Sequence, residues 1–431
     1  MAEARSAIRA GTLAGPRLGF YALGGFGTGV LTTVPAVLLL YFSTEVLGMP
    51  PGLAALVVLL PKLWAILWDP LVGAWSDRIR SRLGRRRPFI LAGTVGGPIF
   101  FLLLFGWPYP QGAAAFVPVL LLYLLMTSFY SVFAVPFVAV PAEASDDAAV
   151  RERITGWRIG FAMIGVFTGA AAAPAIAAAA GGGRHGYQVM AAVIAALCAA
   201  ALASSFLATP SHFRAMPDAG SRPPFRLRAL AERTARFWRL TGVYVLQLVG
   251  VGVVTALTPY WVVHVAKRSD GDAGLALGAM FLMTILTVPL WMAGIRRWTA
   301  GAMLGVSAAM FGAAALLLAL PGGGPMLATY MLLGIPFAGI QLGAFALVAH
   351  VIHALAGERE GLFTGIWTAG EKSGLALGAA LAGLGLQLGG FVSAAPEQSE
   401  AAIHSLRWLI AAGPMACMAF SLALLWKEMR R

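Results

Sequence analysis

Charge is scarce in this sequence. Only 11% of its 431 residues are Asp, Glu, Lys or Arg, against about a quarter in soluble domains. With 59% apolar residues and 52 glycines, that scarcity excludes both a disordered chain and an ordinary soluble enzyme. Cysteine is scarcer still. Cys198 and Cys417 lie in apolar stretches far apart in sequence, which excludes a disulfide framework and a cysteine-based metal site. Acids are the minority of the charged set, 18 against 31 basic residues. A surplus of that size in a soluble chain would suggest nucleic-acid binding. Here the basic residues sit in short loops between apolar runs, so no nucleic-acid partner is expected.

What is present is apolar length. A membrane helix needs about 20 mostly apolar residues, and mean hydropathy is +0.80. Twelve candidate spans follow, near 18–46, 52–75, 88–108, 112–142, 153–180, 187–209, 238–266, 272–294, 300–320, 325–354, 361–391 and 402–426. Pro35, Pro61, Pro136, Pro259 and Pro336 fall inside them and are expected to break helices where neighbours satisfy the freed backbone groups. Spans 52–75 and 325–354 are the most interrupted by polar residues and proline. Residues 1–17 read as a basic cytoplasmic tail, because the apolar run after them is too long for a cleavable signal.

The loops set the orientation. With the amino terminus inside, the cytoplasmic loops hold six arginines from Arg78 to Arg87, seven from Arg214 to Arg239, and the tail residues Lys427, Arg430 and Arg431. The opposite side holds only Arg184, Lys267, Arg268 and Arg407. That bias predicts both termini on the cytoplasmic side of the membrane, with the surplus charge near lipid head groups. Residues 211–236 form the long basic, proline-containing interruption. They separate a first six-helix bundle, 18–210, from a second, 237–431. The expectation is an all-α integral membrane protein resembling the major-facilitator plan of twelve helices in two bundles, with a path near the bilayer midplane.

The densest local pattern is Asp77-Arg78-Ile79-Arg80-Ser81-Arg82-Leu83-Gly84-Arg85-Arg86-Arg87-Pro88. It holds more than membrane anchoring needs, and an acid at a helix end beside a basic turn suits charge pairing across helix termini. It continues Gly25-Phe26-Gly27, Tyr41-Phe42-Ser43-Thr44-Glu45, Leu63-Trp64 and Asp69-Pro70-Leu71-Val72-Gly73. Later stretches are Val135-Pro136-Phe137 with Glu143, Arg151-Glu152-Arg153 through Arg158, and Glu360-Gly361-Leu362-Phe363 leading to Lys372. Together these resemble the glycoside–pentoside–hexuronide:cation symporter family.

That resemblance implies a transporter with ion-coupling acids on the second and fourth spans. Here Asp69 is present, while the other two positions fall on Ala65 and Ala134. A sodium ion needs several oxygen ligands, so proton coupling, or transport without ion coupling, is expected, and no cofactor or metal is implied. Ionisable residues within a membrane are costly and read as functional. The expected site joins Asp69 and Glu371 as coupling acids to Arg158 and Lys372 as substrate contacts, with Trp64, Trp157 and Trp367 lining it. For Asp69 the alternative is pairing with Lys62, two helical turns away. A gating set is read at Lys62, Asp77, Arg78, Arg85, Glu143, His350 and His353. The resemblance places sugar-gripping acids at positions that are Gly29 and Ala134 here. The passenger is therefore a small organic solute, glycoside-like or amphipathic, carried by a single chain by alternating access. A lysolipid carrier and a non-transporting assembly factor remain the alternatives.

Overall fold

The computed structural model describes residues 13, 15–79, 81–145, 147–210, 235–295, 297–320, 325–356 and 360–429. The amino-terminal tail up to residue 12 and nearly all of the expected linker lie outside them. The described residues form twelve α-helices and no strand. These are α1 (Pro16–Tyr41), α2 (Pro51–Arg78), α3 (Arg87–Gly106), α4 (Phe116–Ala144), α5 (Ala148–Ala179) and α6 (Gly183–Ala208). Then come α7 (Ala235–Tyr260), α8 (Asp272–Ile295), α9 (Ala300–Leu316), α10 (Met326–Ala356), α11 (Glu360–Leu388) and α12 (Glu400–Met429). Among the described residues, eleven helical segments are long and apolar enough to cross a membrane. The remaining helix, α11, has 29 residues and carries Glu371 and Lys372 near its middle.

The prolines expected to break helices leave them continuous. Pro35, Pro136, Pro259 and Pro336 lie inside α1, α4, α7 and α10. Packed neighbours and adjusted backbone re-satisfy the groups a proline frees. Both α1 and α7 run on into a five-residue π-turn, Phe42–Val46 and Trp261–Val265. The fourth span begins later than its apolar run, because Gly112–Ala115 form a 3-10 turn ahead of α4.

Contacts divide the chain into two compact units. The first comprises residues 1–34, 63–109 and 117–223, and the second residues 35–62, 110–116 and 224–431. Lipid supplies no hydrophobic drive between helices, so close packing at small residues must hold them. In the first unit α1 lies on α5. A Cβ added at Gly25 would stand 2.2 Å from the Arg158 carbonyl oxygen, and one at Gly165 would stand 2.2 Å from that of Phe26. In the second unit α7 lies on α11 in the same way. A Cβ at Gly378 would meet the Val249 carbonyl at 2.3 Å, and one at Gly252 would meet that of Leu375 at 2.5 Å.

Those distances give a direct test. Gly378→Ala is expected to force α7 and α11 apart and to cost about 1–3 kcal/mol by overpacking. Gly365→Ala on the same helix has open space around it and is expected to be silent. Melting temperatures of both variants in detergent check the pair.

Candidate functional site

The second unit holds a buried polar cluster built from three helices. Tyr244 comes from α7, Gln341 from α10, and Trp367 and Glu371 from α11. Trp367 and Glu371 lie four residues apart, so one helical turn puts both on the same face of α11. The Tyr244 ring stacks on Trp367 with centroids 4.6 Å apart and planes 3° from parallel, and Phe345 packs against both rings. The stacking pins the Tyr244 hydroxyl, which donates to Gln341 Oε1. Glu371 is half-buried and hydrogen-bonded to both Tyr244 and Gln341, and the charge of the next residue, Lys372, acts on it. Trp367 is only 2% exposed, so its face serves Tyr244 and is closed to a solute.

The first unit holds the other expected charges. Asp69 and Arg158 are both half-buried, on α2 and α5. Just ahead of Asp69, Trp64 and Trp68, one turn apart, stack with centroids 5.3 Å apart. Both indoles hang on one residue of α4: Trp64 Nε1 donates to Ser128 Oγ at 2.9 Å and Trp68 Nε1 to the Ser128 carbonyl at 3.1 Å. Arg158 sits where α5 crosses the glycines of α1. Its charge acts on Tyr21, whose hydroxyl donates to the Phe137 carbonyl at 2.7 Å. Among the described residues the buried Arg158 Nε has no hydrogen-bond partner. Trp157 is half-exposed and stacks on Phe161.

The loop from α2 to α3 folds into a charge cluster within the first unit. Gly84 adopts φ +92°, a left-handed conformation that costs glycine least. Its amide donates to the Ser81 carbonyl at 2.9 Å, and the Ser81 hydroxyl closes the turn on the Gly84 carbonyl at 2.8 Å. That turn returns Arg85 and Arg86 toward α4. Arg86 Nη2 lies 2.7 Å from Asp77 and 2.8 Å from Glu143, and its Nη1 donates to Ser76. Arg85 also pairs with Glu143, whose side chain is 2% exposed. Arg87 caps the Phe206 ring at 4.6 Å.

The expected gating set is therefore only partly gathered. Asp77, Arg85 and Glu143 come together, and Arg86, the hub of the cluster, joins them although its place in an arginine run gave no reason to single it out. Arg78 is exposed, and Lys62 is half-buried on α2. The side chains of His350 and His353 lie outside the described residues. Sequence reasoning also missed Tyr244 and Gln341. The available signal was Gln341, an amide within the otherwise apolar stretch from Met331 to Val348.

Comparisons with known proteins agree with this architecture. The sequence profile described as MFS/sugar transport protein matches residues 20–427. The chain is 31% identical over 145 residues to the putative glycoside/cation symporter YagG of Escherichia coli K12, covering 34% of this chain and 32% of YagG. It is 24% identical over 203 residues to the inner membrane symporter YicJ of the same organism, covering 47% and 44%. It is 26% identical over 152 residues to the sodium-dependent lysophosphatidylcholine symporter 1 of Xenopus tropicalis, covering 35% and 29%. The matches thus span between about a quarter and a half of these relatives' lengths. Among solved structures, a bacterial homologue of the human lysosomal transporter Spinster has the same fold. Its TM-score is 0.70 at 16% identity, over 96% of both chains.

Proposed function

We propose, from the premise that the chain belongs to the MFS/sugar transport protein family, that it is a secondary transporter. It moves a small organic solute across a bacterial inner membrane by alternating access, with both termini cytoplasmic, and the coupling ion is the proton. The observation that carries the coupling is Glu371, a carboxyl group halfway along a membrane helix and bonded to Tyr244 and Gln341. A phenol has one proton to give, and Tyr244 gives it to Gln341 Oε1. In this reading Glu371 is the proton carrier of the cluster. Asp69 is the second coupling acid in this reading. Ala65 and Ala134 stand where the symporter resemblance calls for further carboxylates, which leaves too few oxygen ligands for sodium.

Arg158 in the first unit and Lys372 in the second each carry a positive charge suited to an anionic or hydroxyl-rich group. The Trp64–Trp68 pair and Trp157 supply exposed ring surface in the first unit. Exposed rings and a cation within one unit suit an amphipathic glycoside, which offers a sugar face to a ring and a polar end to a charge. A second reading is a lysolipid carrier. It is favoured by the exposed indoles and by the likeness to a lysophosphatidylcholine symporter.

Proteoliposomes decide the coupling. Candidate solutes are first selected by thermal shift from alkyl glycosides and lysophosphatidylcholines. Addition of a binding solute to weakly buffered vesicles is then expected to alkalinise the medium, and an inward proton gradient to raise uptake about tenfold. A sodium gradient at constant pH is expected to change nothing. Sodium-driven uptake without alkalinisation overturns the proton assignment.

A further inference from the structure

The two π-turns are paired features of repeated design. Each follows a 26-residue helix that ends in tyrosine, Tyr41 in α1 and Tyr260 in α7. The fourth residue of one turn is Glu45, and the fourth residue of the other is His264. Both turns lie in the second compact unit, where they meet. The Tyr41 and Tyr260 rings pack edge to face at 5.1 Å. The Tyr260 hydroxyl is 2.6 Å from that of Thr44, and the Tyr41 hydroxyl donates to Asp270 at 3.2 Å. His264 Nε2 stands 3.6 Å from Glu45 Oε2, with the two side chains 10% and 12% exposed. Phe391 covers the imidazole edge-on at 5.2 Å, and the Ser393 hydroxyl donates to the Met49 carbonyl at 2.7 Å. These contacts tie the start of α2 and the end of α1 to α7 and to the segment after α11.

We infer that Glu45 and His264 form a proton-binding latch that holds the ends of the first and seventh spans together on the membrane face opposite the arginine loop. The orientation follows from the chain path, since Glu45 precedes α2 and the arginine loop follows it. By the positive-inside rule this end is the outer one. The inference rests on the proposed transport reading only for its purpose, the timing of outward opening. Histidine is the side chain whose charge changes between about pH 5 and 8. With a protonated ring the contact is an ion pair in a mostly buried place, and with a neutral ring it is not. The hold is stronger with the ring protonated, so it weakens as pH rises. Titratable groups on the surrounding segments are Tyr41 and Tyr260, Lys267, Arg268, Asp270 and Asp272 in the loop before α8, Glu397 and Glu400 ahead of α12, and His404 and Arg407 on α12. Among the described residues, Glu45 is the acid within ion-pair distance of His264.

Ser43 is fully buried in the α1 turn, so a thiol there reports opening. The test uses Ser43→Cys in a Cys198→Ser, Cys417→Ser background, reconstituted in nanodiscs and labelled with a membrane-impermeant maleimide. Rates are divided by those of the denatured protein at the same pH, which cancels thiol ionisation. Protection at pH 5.5 is expected to exceed that at pH 8.0 about fivefold, the size of a modest ion pair. His264→Gln and Glu45→Gln are each expected to abolish the difference. An unchanged pH ratio in His264→Gln, or none in the parent, overturns the latch. Should Ser43→Cys fail to fold, melting temperatures of the unmodified chain, both single variants and the double variant take its place. Coupling between the two sites at pH 5.5 that vanishes at pH 8.0 is expected, and its absence overturns the inference. Neither measurement uses transport, so failure to carry a solute leaves the result standing.

Discussion

Glu143→Ala is expected to be among the most destabilising single substitutions in the first unit, at about 3–5 kcal/mol, the cost of breaking a buried ion pair from one side. The reason is what stays behind. Arg86 keeps a side chain only 8% exposed and is left with the neutral Ser76 hydroxyl and with Asp77, itself 56% exposed and well hydrated. Arg85, at 33% exposure, can turn to solvent, so its loss of a partner adds little. Glu143→Gln keeps an oxygen for the guanidinium groups and is expected to lose about half as much. Removing both partners in Arg86→Met, Glu143→Leu is expected to recover most of the loss, because no uncompensated charge then remains buried. Thermal melts of the four proteins in one detergent give the comparison. A double variant less stable than Glu143→Ala would mean that packing by these chains, rather than their charge, holds the loop to α4.

Lys372→Ala is expected to abolish transport, with solute affinity falling about tenfold or more, as when a hydrogen bond to a charged group is lost. Melting temperature is expected to move little, since Lys372 is half-buried rather than enclosed. Its neighbour should fail differently. Glu371→Gln keeps the hydrogen-bonding shape of the cluster and removes only the titrating proton. Solute binding and solute-for-solute exchange are expected to persist, while accumulation driven by a pH gradient falls to the equilibrium level. Tyr244→Phe removes the hydroxyl between Glu371 and Gln341 and is expected to lie between the two. Exchange and gradient-driven uptake measured in the same vesicles separate these outcomes. If Glu371→Gln still accumulates solute against a gradient, the proton travels elsewhere, and Asp69→Asn becomes the variant to examine.

The helices could be read from the chain because apolar length is a one-dimensional property. A run of about 20 apolar residues crosses a bilayer whatever surrounds it, and α1 to α12 correspond to the expected spans. α11 shows the reading at its margin. It is the helix left out by apolarity alone, yet its charges and glycines are what bind it to α7 and build the Glu371 cluster. Isolated membrane charges were equally visible, since Asp69, Arg158, Glu371 and Lys372 stand out in oily surroundings. Polar residues that act through a neighbour were not. Tyr244 acquires its role from the Trp367 ring beneath it and from Gln341 on another helix.

Composition and order along the chain were thus enough to settle how many helices there are, what class of protein they make, and which charges are costly enough to need a reason. Pairing needed three dimensions. Arg86 looks like any other arginine of its run until Gly84 turns it onto Glu143. Glu45 and His264 look unrelated until two π-turns bring them within 3.6 Å. The physical reason is that burying a residue depends on its own transfer energy, while a hydrogen bond or ion pair depends on a partner at about 3 Å, and only folding decides which partner that is.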